Sequence, residues 1–364
     1  MDSLLDIGAP DATRKIARVP VLMPVALSQT YDYLAPDDVE LRPGMFVMVP
    51  FGPQTRIGVV WDKEITDPDK PAKKFDPKKL KAITSVMDAP PLPELSLRFA
   101  EWISNYSLSP LGMVVRMMMS AQSVFEPQKP RFGVRLVDGA PPPPRMTPAR
   151  TRVLNIADDG LIRIKSALAQ KAECTTGVVD GLIATGNLVE VAVPEKKCPQ
   201  PNPDHMVVEF SDSQDPAVHA MLAAVDGNTF STTLLDGVTG SGKTEVYFEA
   251  VARALAAGKQ ALIMLPEIAL TSQFLSRFEA RFGCLPAEWH SALSAPERGR
   301  IWRAVANGEA RCVVGARSGL FLPYKEVGLI VVDEEHDTGY KQDDRVNYQA
   351  RDMAIVRGSL GKFP

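Results

Sequence analysis

Nine consecutive residues, Asp236-Gly237-Val238-Thr239-Gly240-Ser241-Gly242-Lys243-Thr244, constrain the fold of this chain more than any other stretch. They fit the pattern G-x-x-x-x-G-K-[ST], whose chemistry requires a strand that turns abruptly into a helix. The flanks supply that setting. Thr232-Thr233-Leu234-Leu235 has the pattern of a short buried strand. Val246, Tyr247, Ala250, Val251, Ala254 and Leu255 recur at helical spacing until Gly258 ends the run. Gly237, Gly240 and Gly242, with Ser241 among them, let the backbone wrap closely around a phosphate chain with its N–H groups pointing inward. The new helix adds the positive end of its dipole. Lys243 is placed to reach the β and γ phosphates, and the Thr244 hydroxyl to ligate Mg2+. A glycine-rich turn that binds nothing has no need of strand, loop and amphipathic helix in register. The expectation is a site for a nucleoside triphosphate.

With 364 residues the chain is expected to hold on the order of two to four domains. Its apolar fraction of 45% is ample for several cores, and no run approaches the roughly eighteen apolar residues of a membrane span. Met1-Asp2-Ser3-Leu4-Leu5-Asp6 lacks the basic and apolar regions of a signal peptide, so a cytoplasmic protein with no membrane partner is expected. The four cysteines, Cys174, Cys198, Cys284 and Cys312, are far apart, which suggests neither a zinc site nor a disulfide framework. A net charge of −3 argues against coating nucleic acid by bulk charge but permits local basic patches.

Residues 1–17 are polar and read as a tail. From there the text turns β-like in four runs, Arg18-Val19-Pro20-Val21-Leu22-Met23, Thr30-Tyr31-Asp32-Tyr33-Leu34, Met45-Phe46-Val47-Met48-Val49-Pro50 and Arg56-Ile57-Gly58-Val59-Val60-Trp61. Pro43-Gly44 and Gly52-Pro53 punctuate them, so a small antiparallel sheet or barrel is expected. Residues 70–81 are lysine-rich and read as a solvated loop. Helical text covers 93–105, and Met117-Met118-Met119 read as core filler. Gly139-Ala140-Pro141-Pro142-Pro143-Pro144 is a semi-rigid linker. Helices are then expected over 147–157, 164–171 and 175–184, followed by a strand at 188–193. Three helices and a β-wing suggest a winged helix. Its third helix carries Asp180 and no lysine or arginine, which favours a spacer or protein-docking role over reading of the major groove. After a second proline-rich linker, strands at 260–265, 311–315 and 328–332 alternate with helices. That is a parallel α/β sheet with the phosphate loop on its first strand.

The apolar strand at 328–332 ends in Asp333-Glu334-Glu335-His336. Ligands of open α/β sheets gather at the carboxyl ends of strands, so these acids belong beside the phosphate loop. Asp333 is placed to hold Mg2+ through water and Glu334 to polarise an attacking water. His336 can sense the γ-phosphate. D-E-x-H is the acidic box of helicase superfamily two. The chain has neither the N-K-x-D guanine reader of a GTPase nor the L-S-G-G-Q of a transporter ATPase.

Several stretches in order carry a closer resemblance: Gly237 to Glu245, Leu265-Pro266-Glu267-Ile268-Ala269-Leu270-Thr271, Gly315-Ala316-Arg317-Ser318-Gly319-Leu320-Phe321, Asp333 to Gln342, and Tyr348-Gln349-Ala350-Arg351-Asp352. Tyr31-Asp32-Tyr33, Val49-Pro50-Phe51-Gly52 and Leu80-Lys81-Ala82 extend it into the N-terminal half. The chain resembles the bacterial primosomal protein N′ (PriA) family of replication-restart helicases. The resemblance implies an ATP site that uses Lys243, Asp333, Glu334 and His336 for catalysis, with Mg2+ held by Thr244 and Asp333. It implies a domain that captures the 3′-hydroxyl of a nascent strand through Tyr31, Asp32, Tyr33, Gly52 and Lys81. The aromatic pair would stack the terminal base, Asp32 accept from the hydroxyl, and Lys81 neutralise a phosphate. Further DNA contacts are implied at Arg317, Tyr340 and Tyr348. The loop from Tyr340 to Tyr348 resembles the family's aromatic-rich coupling loop without its tryptophan, which leaves coupling to Tyr340, Tyr348 and Arg345. Beyond Pro364 the family continues into a Ser-Ala-Thr motif, a two-zinc module and a second RecA-like lobe with the arginine finger. Zinc ligands are therefore not expected in this chain.

The boundaries that follow are a tail at 1–17, a 3′-DNA-binding domain at 18–122, a linker at 123–145, a winged helix at 146–194, a linker at 195–206 and the first ATPase lobe at 207–364. The expected function is that of an ATP-dependent 3′-to-5′ DNA helicase, with little activity in this portion alone. It would recognise stalled forks and single-stranded DNA, with primosome proteins, single-stranded DNA-binding protein and the replicative helicase loader as partners. Two alternatives are a fork-binding scaffold with an idle ATP site and a P-loop ATPase acting on protein or small molecules.

Overall fold

Alternation of apolar residues in the N-terminal third sets both the pairing and the inner face of its strands. The structure is a computed structural model and describes residues 18–66, 80–126, 132–193, 197–238, 240–266 and 270–364. The tail, nearly all of the lysine run, Thr239 and residues 267–269 lie outside them. The strands β1 (Arg18–Leu22), β2 (Thr30–Leu34), β3 (Phe46–Phe51) and β4 (Gln54–Val60) are antiparallel neighbours in the order β2-β1-β4-β3. Two short strands, β5 (Lys81–Ala82) and β6 (Ser85–Val86), pair with β2 and β3 respectively. Residues 81–86 thus touch both outer strands and close the six-stranded sheet into a small barrel. Val21, Met23, Tyr33, Val47, Val49 and Val60 fill it. The helices α1 (Glu94–Ser107) and α2 (Leu111–Met118) follow, and Met118 and Met119 are buried, as core filler should be.

The chain divides into two compact units, Pro127–Lys197 on the one hand and Met1–Glu126 with Cys198–Pro364 on the other. The smaller unit comprises β7 (Phe132–Leu136), α3 (Pro148–Ala157), α4 (Lys165–Lys171), α5 (Thr176–Ala184) and β8 (Leu188–Ala192). Thr147 accepts a hydrogen bond from the Arg150 N–H and so caps α3, while Pro148 occupies its first turn. Val153, Leu168, Val179, Leu182 and Leu188 make a separate core. β7 lies within the stretch that reads as a linker in sequence. It is the ladder partner of β8, from Phe132↔Ala192 to Leu136↔Leu188.

In the larger unit α6 (Asp215–Asp226) precedes the phosphate loop and α7 (Lys243–Ala256) follows it. Then come β9 (Gln260–Met264), α8 (Ser272–Phe282), β10 (Ala287–Trp289), α9 (Ala295–Asn307), β11 (Cys312–Gly315) and β12 (Val327–Val332). The chain continues through β13 (Lys341–Gln342), β14 (Tyr348–Gln349) and α10 (Ala350–Gly361). The sheet β10-β11-β9-β12 is parallel throughout. Every residue of β9 is buried, and its neighbours along the strand serve opposite faces. Leu262 and Met264 join one core, Ala261 and Ile263 the other. The first of those cores is shared with the N-terminal part, since Phe99, Ile103, Val115 and Met118 pack in it beside Trp302, Phe321 and Tyr348.

One expected strand does not form. Thr232-Thr233-Leu234-Leu235 is extended coil, with Thr232 and Thr233 exposed and Leu234 77% exposed. A strand needs a ladder partner about 4.8 Å away. Here a cleft of about 900 Å3 is lined on one side by these residues and on the other by Leu329-Ile330-Val331-Val332 of β12. The sheet therefore begins with β9, and the phosphate loop is carried on coil.

Candidate nucleotide and DNA-end sites

Gly240 and Gly242 adopt φ of 82° and 79°, a left-handed backbone in which any side chain is strained. That turn lets α7 start directly at Lys243. A Cβ on Gly240 would meet nothing within 4 Å, whereas one on Gly242 would sit 2.4 Å from Gln214 Nε2. Gln214 is a residue the sequence reading missed. Its Nε2 donates to the Ser241 carbonyl at 2.8 Å, bracing the loop from the start of α6. Lys243 Nζ donates to the carbonyls of Gly237 at 2.5 Å and Val238 at 3.4 Å, so its cation is held over its own loop. A glycine cradle with open space before it and a cation folded across it suit a phosphate chain.

The acidic box lines the same cleft. Gly237, Lys243, Asp333, Glu334 and His336 are all on its wall. Asp333 continues β12, its N–H donating to the Met264 carbonyl at 3.0 Å. Both carboxylate oxygens are engaged: Oδ2 accepts from the Tyr247 hydroxyl and Oδ1 from the Glu334 N–H, each at 2.9 Å. Burial, and then the charge of Asp333, push the Tyr247 phenol well above the usual tyrosine range. Glu334 has φ of 48°, an uncommon conformation for a residue with a side chain and a form of strain that clusters at functional sites. His336 Nε2 lies 3.6 Å from Glu334 Oε2, and Glu335 is taken up by Arg351 at 2.8 Å. Among the described residues no three His, Cys, Asp or Glu side chains converge as a metal site. Thr244 and Asp333 offer oxygen donors of the kind that Mg2+ takes.

The residues expected to touch DNA are placed differently from one another. Tyr340 is buried, and its hydroxyl reaches the carbonyls of Asp333 at 2.6 Å and Met264 at 3.0 Å, tying two strand ends together. Tyr348 is buried too, edge-on to Phe321 at 5.2 Å. Neither ring offers a face for base stacking. Arg317 donates to the carbonyls of Gly339, at 2.9 Å, and Lys341, and so anchors the loop that follows the acidic box.

In the barrel, β2 sends Tyr31 and Tyr33 to one side and Asp32 to the other. Tyr33 is only 4% exposed and gives its hydroxyl to the Pro50 carbonyl at 3.0 Å, which makes it a core residue. Tyr31 is half-buried, edge-on to Phe51 at 5.2 Å, next to the Gly52 turn. Lys81 is exposed and pairs through its backbone with Tyr33. Asp32 faces Arg18 at 2.8 Å. One corner of the barrel thus holds all five residues, but the stacking pair around a carboxylate is not formed as expected.

Two family models match the chain, a PriA 3′DNA-binding domain over residues 20–120 and a DEAD/DEAH box helicase over residues 211–359. The replication restart protein PriA of Rickettsia conorii is 33% identical over 342 residues, 94% of this chain and 41% of that protein. That of Haemophilus influenzae is 33% identical over 367 residues, covering 94% and 47%. That of Bacillus subtilis is 37% identical over 209 residues, covering 56% and 26%. The chain belongs to the PriA family. It corresponds to the family's N-terminal portion and spans 41% of the length of the Rickettsia conorii relative and 47% of that of Haemophilus influenzae. The PriA 3′DNA-binding match takes in the barrel with α1 and α2, and the helicase match takes in both sides of the phosphate cleft. Among the described residues no helix is long and apolar enough to cross a membrane.

Proposed function

We propose that the chain is the fork-recognising and ATP-binding portion of a cytoplasmic 3′-to-5′ replication-restart helicase, one that remodels stalled forks so that primosome proteins can load the replicative helicase. The observation that carries this reading is the union of a 3′-DNA-binding barrel and a phosphate loop with its acidic box in one compact unit. Lys243 would leave the carbonyls of its own loop to oppose the charge of the β and γ phosphates. Thr244 and Asp333 would hold Mg2+, which when bound offsets negative charge on the phosphates. Glu334 would orient a water, and His336, beside it, would report the state of the cleft to the loop anchored by Arg317. Because Tyr340 and Tyr348 are buried, their part in coupling is to stiffen that loop while Arg317 and Arg345 meet DNA.

The smaller unit is read as a winged helix with β7 and β8 as its wing. Asp180 on α5 is occupied by Lys165 at 2.9 Å, and Lys165 also holds Glu190 at 2.7 Å. A helix with no free cation reads DNA poorly, which supports docking of protein or spacing of the two ends of the larger unit's chain.

The test is binding of this chain, at one fixed salt concentration, to a forked DNA with a nascent 3′ end and to the same fork without the nascent strand. The reading predicts clearly tighter binding to the first. Equal binding would overturn fork recognition through a 3′ end. Fork binding without any affinity for Mg2+–ATP would favour a scaffold with an idle site.

A further inference from the structure

The phosphate-loop pattern names Thr244 and the acidic box names Asp333, but neither names the side chain that lies between them. Tyr247 stands three residues after Thr244 on α7, so both project from one face of the helix. It is 5% exposed, and its ring packs edge-on to Phe248 at 5.3 Å. Its hydroxyl donates to Asp333 Oδ2 at 2.9 Å, and the Thr244 side chain approaches the same phenol. On the far side the Glu334 N–H holds Oδ1, while Tyr340 fixes the Asp333 carbonyl at 2.6 Å. The carboxylate therefore cannot swing, yet each oxygen keeps a lone pair for a further donor or a water.

We propose that Tyr247 is a positioning residue that presets the Asp333 carboxylate against the Thr244 hydroxyl, so that the two groups meant for Mg2+ are in place before nucleotide arrives. This rests on the ATP-site reading above. It concerns the metal dependence of binding, and the proposed action of Tyr247 runs through the Asp333 carboxylate.

The experiment is a titration of the whole chain with a fluorescent ATP analogue across a range of Mg2+ concentrations and again in EDTA. Tyr247→Phe keeps the ring and its packing and removes only the hydroxyl. The Mg2+ concentration for half-maximal binding is expected to rise about tenfold, the scale of one lost hydrogen bond to a charged group, with affinity in EDTA unchanged. An unaltered Mg2+ dependence would overturn the proposal. So would an equal loss in EDTA, since that marks a general effect on the loop. In an Asp333→Asn background Tyr247→Phe should add nothing, and a further tenfold loss there would also overturn it. If wild type and Lys243→Ala bind the analogue equally, the ATP-site reading itself fails, and this inference with it.

Discussion

Arg18 grips one carboxylate oxygen of Asp32 at 2.8 Å and leaves the other, Oδ1, buried with no hydrogen-bond partner among the described residues. The bond to Asp32 holds the guanidinium charge firmly, raising its pKa. An orphaned acceptor of this kind costs about 1–3 kcal/mol until a donor arrives, and a terminal hydroxyl is such a donor. Under the proposed 3′-end reading, this oxygen is the acceptor that a terminal hydroxyl would meet.

Wild type should accordingly prefer an oligonucleotide ending in a 3′-hydroxyl over one ending in a 3′-phosphate by roughly ten- to a hundredfold. Asp32→Ala should abolish the preference. Competition between the two oligonucleotides measures it, and an unchanged ratio in the mutant would place the pocket elsewhere.

Tyr33 supports the same corner from inside the barrel. Burial, with a smaller push from Tyr31, raises its phenol to about 12. The folded state therefore keeps the proton longer than the unfolded chain, whose tyrosines titrate near 10. Its contribution is fully present below about pH 10 and is lost as pH climbs through about 12. Tyr33→Phe should flatten that loss and cost about 1 kcal/mol at neutral pH, from the hydrogen bond to Pro50. Denaturant unfolding across alkaline pH is the measurement.

Arg357 joins the two halves of the shared core. It is fully buried between the rings of Phe99 and Tyr324 and donates to the carbonyls of Leu320 and Leu322, with Ser96 Oγ at 3.4 Å. Arg357→Ala would strand those carbonyls and open a cavity, for a loss of about 3 kcal/mol or more in chemical unfolding. Arg357→Lys should recover only part of it, because an ammonium cannot reproduce the planar fork.

Most elements are legible in the sequence, because periodicity reports burial directly. The runs expected at 30–34, 147–157 and 260–265 form elements at Thr30–Leu34, Pro148–Ala157 and Gln260–Met264. What was lost depends on partners distant in sequence. Thr232-Thr233-Leu234-Leu235 has strand-like text but no neighbour to pair with. Tyr33 and Tyr340 look like stacking rings until their hydroxyls are seen to serve backbone carbonyls. Gln214 and Tyr247 brace the nucleotide site from outside its motifs, and nothing in their local sequence marks them. The acidic box was found from its pattern, but the left-handed turn at Glu334 was not, since acids rarely adopt it.

That turn carries its own prediction. Glycine at 334 would adopt φ of 48° without strain. Glu334→Gly should leave the chain about as stable as wild type or up to about 1 kcal/mol more so, by thermal unfolding, while removing the group proposed to orient water. A clear loss of stability would mean that the Glu334 side chain holds the turn.

Lys243 is the residue on which the proposed phosphate site depends most directly. A fluorescent ATP analogue titrated in Mg2+ into wild type and Lys243→Ala compares the loop with and without the cation that Gly237 and Val238 now hold. Saturable binding by wild type, weakened at least about tenfold in the mutant, is the predicted result. Equal affinity for the two chains would contradict it, because the glycine cradle would then not be a phosphate site.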